Sequence, residues 1–340
     1  HLFLDRTGGF GGLPVGVEGR AVALVSGGFD SAVAAWLLLK RGVQLDYLFC
    51  NLGGDEHRAG VERVLAVLAE RWSYGSRPRL HEVDLRPLAL QIRERTQSRN
   101  WQILLKRLML RAAETVARHG SAAGLVTGDA IGQVSSQTLQ NLAATSQAAA
   151  LPVLRPLLGF NKEEILELAR RIGVFGPASE VPEYCGLAAS RTATRARLDV
   201  VLAQEAKLDL LALREAVAGR RIDDLREPGR PRAPRRTQRA PAGRIEPGQV
   251  LIDLRPLTAF RSWHYPGALH LEFGQALAAY SSFGRAARYV LVCEVGWKSD
   301  QLAGLMREAG LDARAFPGGL RELARLAERE GLSEHPAGFS

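Results

Sequence analysis

AVALVSGGFDSAVAAWLLLKRG, residues Ala21 to Gly42, reads as a strand, a tight loop and a helix. The apolar run Ala21 to Val25 breaks at Ser26-Gly27-Gly28-Phe29-Asp30-Ser31, and apolar periodicity resumes from Ala32 to Lys40 before Gly42 stops it. Two glycines let a polyanion approach the backbone, the Ser26 and Ser31 hydroxyls can donate to phosphate oxygens, and the helix start supplies N–H groups and a favourable dipole. No Gly-Lys-Ser/Thr follows the glycines and the pattern is not GxGxxG, so neither common nucleotide fingerprint applies. Asp30 stands where a phosphate loop more usually carries a cation, which makes sense with a magnesium ion between carboxylate and phosphates. An ordinary strand-to-helix turn of an α/β domain accounts for the same residues.

Upstream, Thr7 to Pro14 is glycine-dense and reads as a connector, and His1 to Arg6 as one strand without a nearby partner. The chain opens on His1 rather than Met, and a preceding segment is expected in the complete protein. Downstream, strand Gln44 to Cys50 ends in Asn51-Leu52-Gly53-Gly54, a second glycine-bearing strand end that a parallel sheet would set beside the first. Cys50 lies in the apolar strand and reads as a buried structural thiol. A helix from about Glu56 to Arg71, a strand Arg79 to Leu85 and helical stretches Pro87 to Arg95 and Trp101 to Arg118 follow. Lys106, Arg107 and Arg111 on the last of these fit a solvated basic face by spacing alone. A strand Ala123 to Thr127 leads into Gly128-Asp129-Ala130 and a polar helical stretch. A strand Pro152 to Leu158 precedes a helix marked by Asn161 and Glu164 as a variant capping box. Alternating strands and helices from Ala21 to Gly173 argue for a doubly wound, mostly parallel sheet.

Between Gly173 and Arg191 periodicity fails, and VPEYCG places Cys185 in a loop, where a thiol is easily presented. Helix returns at about Ala196 to Ala218. Arg226 to Arg244 is Arg- and Pro-rich, an extended basic linker. Beyond it, VLIDLRP opens a second, smaller α/β domain, and Arg288 to Cys293 is an apolar strand ending in a cysteine, with helix Asp300 to Ala309 after a short loop. Backbone N–H groups and a helix dipole around a strand-end thiol favour nucleophilic sulfur. By position alone, Cys293 fits a catalytic thiol or a buried one equally. The domains expected are a strand and connector over 1–20, a nucleotide domain over 21–218, a linker over 219–244 and a sulfur domain over 245–340.

The chain has 340 residues, enough for two cores, and its 45 Lys and Arg against 36 Asp and Glu give a net charge of +9, favouring polyanionic partners. No apolar run approaches the roughly 18–20 residues of a membrane span and no signal segment opens the chain, so a cytoplasmic protein without a membrane partner is expected. Three scattered cysteines without C-x-x-C make a disulfide scaffold, a zinc site or an iron–sulfur cluster unexpected.

SGGFDS resembles the PP-loop of ATP pyrophosphatases. With GGLPVG before it, NLGG after it and LLKRLMLRAA, LVTGDAIGQVSSQTL, LRPL and PEYCG further on, the chain resembles the tRNA sulfurtransferases, the 4-thiouridine synthetases. VLIDLRP, HYPGAL and VLVCEVGWKS resemble a rhodanese domain, and the combination is that of the longer sulfurtransferases. The resemblance implies that Leu24 and Val25 flank ATP, that Ser26, Gly27, Gly28, Ser31 and Asn51 belong to its site, that Lys106, Gly128 and Gln137 contact it, and that Asp30 is the essential carboxylate. It further implies Mg2+ with the ATP and no metal site of the protein's own. Cys293 would carry a persulfide charged by a cysteine desulfurase, and Cys185 would be the second thiol of the cycle. The reaction implied is adenylation of O4 of uridine 8 in tRNA, then displacement of AMP by sulfur, with a Cys185–Cys293 disulfide reset by an external reductant. A sulfur-carrier protein of thiamine synthesis is a further implied partner, and a homodimer is allowed.

Two departures stand out. Family members carry N-terminal domains, including a THUMP domain, ahead of the region present here, so weak tRNA binding or adenylation is expected of the chain as it stands. Val295 and Lys298 occupy loop positions where rhodaneses commonly have arginine, and a lysine lacks the planar fork, which disfavours thiosulfate. The rival readings are an amidating ATP pyrophosphatase, a non-catalytic persulfide relay and a tRNA-binding adaptor working through the basic linker.

Overall fold

The computed structural model describes residues 9–134, 136–181, 193–227, 244–294, 296–316 and 319–332. Two compact units divide the chain, His1–Pro231 and Arg232–Ser340.

The first unit runs β1 (Arg20–Val25), α1 (Phe29–Lys40), β2 (Gln44–Asn51), α2 (Gly54–Trp72), β3 (Arg79–Asp84), α3 (Arg86–Arg95), α4 (Trp101–His119), β4 (Gly124–Val126), α5 (Leu139–Ser146), β5 (Val153–Leu154), α6 (Lys162–Ile172), α7 (Phe175–Ser179), α8 (Leu198–Glu205), α9 (Leu210–Ala218) and β6 (Arg221–Asp224). Its sheet has the order β5-β4-β1-β2-β3-β6, parallel except for β6, which is antiparallel to β3. Ala21, Ala23 and Val25 of β1 enter one core and Val22 and Leu24 the other, as the two-residue period of a strand requires when helices cover both faces. The chain moves outward from β1 to β2 and β3, then returns to lay β4 on the other side of β1. The direction of winding therefore reverses between β1 and β4, and the carboxyl ends of those strands are where an open α/β sheet has its crevice.

Several elements differ from the sequence expectation. Helix α1 starts at Phe29, not Ala32, because Gly27 at φ +83° completes the turn and Gly28 is already the extended N-cap; Asp30 thus sits in the first turn of the helix. The expected helix Ala196 to Ala218 is two, since the Asp209 carboxylate accepts from Leu211 and Ala212 N–H and starts α9 afresh. Strand β5 keeps only two residues of the expected seven-residue strand Pro152 to Leu158. Arg221–Asp224, placed by sequence in the linker, pairs with β3, and the Arg226 guanidinium donates to the Ser73 carbonyl at 2.6 Å; 228–243 lie outside the described residues. The glycine-rich connector docks: Leu13 N–H donates to Lys40 C=O, and Phe10 packs edge-on against Trp36 and Trp72. The expected strand His1 to Arg6 lies outside the described residues. The capping box is as read, with Asn161 and Glu164 exchanging hydrogen bonds at the start of α6.

The second unit contains β7 (Gln249–Asp253), α10 (Leu257–Ser262), β8 (Leu269–His270), α11 (Phe273–Ala279), β9 (Arg288–Val292), α12 (Trp297–Glu308), β10 (Asp312–Ala315) and α13 (Gly319–Arg329). Its four strands are parallel in the order β10-β9-β7-β8, so winding reverses between β7 and β9. Val290 and Val292 face one core; Tyr289, Leu291 and Cys293 face the other. Among the described residues no helix is long and apolar enough to cross a membrane.

Candidate active site

The loop Ser26–Gly28 leaves β1 at the crevice of the first unit and knits itself with its own hydroxyls. Ser26 N–H donates to Ser31 Oγ at 3.3 Å, Ser31 Oγ–H to Gly28 C=O at 3.1 Å, and Gly28 N–H to Ser26 Oγ at 3.4 Å. Gly128, at the end of β4, presses on the start of α1: a Cβ there would stand 2.7 Å from Asp30 C and Ser31 N. The two loops that the sequence set far apart are thus in backbone contact.

Asp129 follows and gathers the polar groups. It accepts from Lys106 Nζ at 2.6 Å, Thr127 Oγ1 at 2.8 Å, Arg155 Nε at 3.2 Å and Gln137 Nε2 at 3.4 Å. Burial pushes its carboxyl up, but Lys106, Thr127 and Arg155 outweigh that and hold it below the usual carboxylate range. Lys106, which spacing alone left on a solvated face, and Gln137 therefore converge on one buried carboxylate. Lys162, at the first position of α6, places Nζ 2.7 Å from Asp30 Oδ1 and 5.7 Å from the Phe29 ring centre. Lys162 thus stands against a loop that itself carries no cation, and Lys106 is held by the residue after Gly128.

The remaining expected residues divide. Leu24 is half-buried and Val25 buried at the end of β1. The Asn51 side chain is committed to its own turn: Oδ1 accepts from Gly53 and Gly54 N–H, and Nδ2 donates to Glu82 at 2.6 Å. It shapes the second glycine turn. Cys50 is buried, which pushes its thiol up to about 12. Cys185 lies outside the described residues.

Cys293 belongs to the second unit, directly after β9, beside the point where winding reverses. It is buried, with Sγ 3.6 Å from Ser299 Oγ, whose hydroxyl donates to Gly296 C=O at 2.6 Å. Helix α12 starts three residues beyond the thiol's own neighbour, with Gly296 at φ +95° as its N-cap. The start of α13 closes on the same loop: Leu320 N–H donates to Glu294 C=O, and a Cβ on Gly319 would meet that oxygen at 2.6 Å. A thiol held at the amino ends of two helices suits sulfur chemistry that passes through an anion.

Sequence reasoning missed Asp129, Arg155, Lys162, His57 and Ser299 as site residues. For Lys162 a signal existed: a lysine at a helix N-terminus opposes the dipole and calls for an anionic partner. Ser299 and His57 carried none: His57 stands in the polar run Asp55 to Arg58 and Ser299 beside Lys298 and Asp300, where nothing in the pattern singles them out. No group of three or more His, Cys, Asp and Glu able to hold a metal occurs among the described residues.

A family model described as thiamine biosynthesis protein (ThiI) matches residues 16–210, and a rhodanese-like domain model matches residues 239–325. The tRNA sulfurtransferase of Pyrobaculum aerophilum is 37% identical over 319 residues, 92% of this chain and 64% of that protein. That of Thermoplasma acidophilum is 37% identical over 307 residues, 90% of this chain and 61% of that protein. That of Marinobacter nauticus is 43% identical over 220 residues, 65% of this chain and 46% of that protein. The chain thus spans less than two thirds of the length of these relatives. Among solved structures, a 4-thiouridine synthetase–RNA complex with bound ATP aligns with a TM-score of 0.62 at 38% identity, covering 64% of this chain and 58% of that one.

Proposed function

The chain belongs to the thiamine biosynthesis protein (ThiI) family, and from that premise we propose that it transfers sulfur to a uridine of tRNA in an ATP-dependent reaction. The observation that carries this reading is the pairing, on one chain, of a glycine loop that has Lys162 on its Asp30 and Lys106 on Asp129 beside the abutting Gly128 with a separate unit whose strand-end cysteine faces helix amino ends. ATP would lie against Ser26–Ser31, with Lys106 and Lys162 close to its phosphates. Asp30 suits Mg2+ carried in with the triphosphate, since magnesium usually takes one or two carboxylates besides phosphate oxygens.

In the first half-reaction O4 of the uridine attacks the α-phosphorus and pyrophosphate leaves, converting an amide-like oxygen into part of an AMP leaving group. In the second, the outer sulfur of a Cys293 persulfide attacks C4 and AMP departs. The Cys185 thiolate then attacks Cys293 Sγ, the S–S bond to the nucleobase sulfur breaks, and 4-thiouridine and a Cys185–Cys293 disulfide remain. A dithiol reductant resets the disulfide. The proposal includes a cysteine desulfurase as persulfide source, a cytoplasmic setting and a homodimer as assembly. Delivery of the same sulfur to a carrier protein of thiamine synthesis extends it.

The test is transfer of labelled sulfur from cysteine, through a desulfurase, into unmodified tRNA, with and without ATP, for this chain, for a version extended to the length of the relatives, and for Cys293→Ser in each. ATP-dependent label in tRNA, lost in Cys293→Ser, is the expected result. Label that stops on Cys293 in the extended version as well would replace the proposal with a persulfide relay.

A further inference from the structure

His57, in the first turns of α2, is 5% exposed and sits behind the phosphate loop. Its Nε2 lies 2.9 Å from the Ser26 carbonyl oxygen. That oxygen can only accept, so Nε2 carries the proton and donates. The ring stands edge-on to Phe49, 4.6 Å between centres at 84°, which fixes its direction. Burial pushes the imidazole down to about 4, although the bond to Ser26 opposes this, so at neutral pH the ring is uncharged.

A trans peptide is planar, and its C=O and N–H point in opposite directions. Whatever holds Ser26 C=O at the back of the loop therefore turns the Gly27 N–H to the front. Gly27 is at φ +83°, and the place its side chain would take is filled by Val61 at 3.2 Å and Val181 at 3.0 Å. Its N–H makes no hydrogen bond to a described residue, whereas those of Ser26 and Gly28 are taken by the Ser31 and Ser26 hydroxyls. Without a partner behind it, the Ser26–Gly27 peptide could rotate, because glycine tolerates the φ values on either side of such a flip. A backbone donor that points at the ligand before it arrives costs no reorganisation on binding.

We infer that His57 is a positioning residue for the phosphate loop: by donating to Ser26 C=O it fixes the Ser26–Gly27 peptide and aims the Gly27 N–H at a phosphate oxygen of the nucleotide. The inference rests on the reading of Ser26–Ser31 as a phosphate loop. It makes a histidine that touches neither substrate a determinant of affinity for the phosphates alone.

The experiment measures binding of ATP with Mg2+, and separately of adenosine, by calorimetry on the 340-residue chain, for the parent, His57→Leu and His57→Gln, with thermal melting of each. Leucine keeps bulk without a donor; glutamine keeps an N–H donor of similar reach. The expected result is about tenfold or greater loss of ATP affinity in His57→Leu, the scale of one hydrogen bond to a charged group, recovery to within about threefold in His57→Gln, and unchanged adenosine binding in both. Parent-like ATP affinity in His57→Leu overturns the inference. So does a loss that glutamine fails to restore while melting stays native, and so does an equal loss of adenosine, which would mark His57 as general packing. A parent chain that binds adenosine but gains nothing from the triphosphate overturns the phosphate-loop reading itself, and the role of His57 with it.

Discussion

Gly128 has no side chain because the start of α1 occupies the space: a Cβ would come within 2.7 Å of two backbone atoms and 2.9 Å of a third, all belonging to Asp30 and Ser31. Those atoms belong to a helix start that cannot give way without moving the Ser26–Ser31 loop. Gly128→Ala is therefore expected to cost about 1–3 kcal/mol of stability, the usual range for overpacking, and to weaken ATP binding more than adenosine binding. Urea unfolding and calorimetry check the two parts, and a variant with parent-like ATP affinity would mean the two loops are not coupled. The same residue shows what the sequence did and did not make legible. Glycines at Gly27, Gly28, Gly53, Gly54 and Gly128 each marked a strand end, because tight turns and close approaches are what glycine is for. Which ends meet depends on strand order, and strand order is a long-range property that local pattern does not carry. Asp129 was hidden for a related reason: its four partners come from the stretch after β4, from α4 and from the residue that follows β5, so no short window of sequence contains them.

At the scale of elements, α6 carries a contradiction that a role of Lys162 in ATP binding would resolve. Its first turn holds Glu163 and Glu164, favourable at a positive helix end, and also Lys162, which is not. The Lys162–Asp30 pair is 46% and 30% exposed, and pairs in that setting contribute about 0–1 kcal/mol. The dipole penalty is of similar size, so the two nearly cancel. Lys162→Gln is expected to leave stability within about 1 kcal/mol of the parent while lowering the rate of ATP-dependent chemistry. Thermal melting and AMP formation measured together check it; a large fall in melting temperature would assign the lysine to the fold instead. Helix α8 shows the opposite balance. Glu205 accepts from the fully buried Arg107 at 2.7 Å and from Arg111 at 3.0 Å, tying α8 to α4 across a long stretch of sequence. Burial raises the Glu205 carboxyl, and the two arginines lower it further than burial raises it. Glu205→Gln leaves Arg107 charged and buried without a carboxylate, which is expected to cost about 3–5 kcal/mol in urea unfolding. In the sequence, Arg107 and Arg111 read as a solvated face, because spacing reports which face a residue is on and not what packs against it. β6 was illegible for a simpler reason: Arg-Ile-Asp-Asp has one apolar residue, and an edge strand with partly exposed side chains needs no more.

At the scale of the whole molecule, acid should act on the first unit in two separate windows, and the sign of each follows from its groups. Burial pushes His57 and His81 down to about 4, with Arg220 and Arg79 adding to the effect at His81 and Asp46 opposing it. Both histidines bind protons more readily when unfolded than when folded. Between about pH 6.5 and pH 4 the unfolded chain therefore holds more protons, and stability falls as pH falls through that window. A group displaced from about 6.5 to about 4 costs roughly 3 kcal/mol of stability at the lower end, a large share of the 5–15 kcal/mol typical of a domain. Asp129 and Glu205 are held below the usual carboxylate range, so their contribution is complete above that range and is lost only as pH drops through their lowered values. The histidine window thus comes first on acidification. Urea unfolding of the parent at steps from pH 7 to pH 4 is expected to show a falling midpoint, and the His57→Gln, His81→Gln double variant, which has nothing to protonate at those sites, a flatter one. A double variant as steep as the parent would place the acid sensitivity elsewhere in the chain. Because His57 Nε2 keeps its proton in either charge state, acid should erode the stability of this unit before it breaks the bond to Ser26. ATP affinity per folded molecule should therefore outlast the fall in unfolding midpoint, which separates the histidine's thermodynamic burden from the loop geometry it maintains.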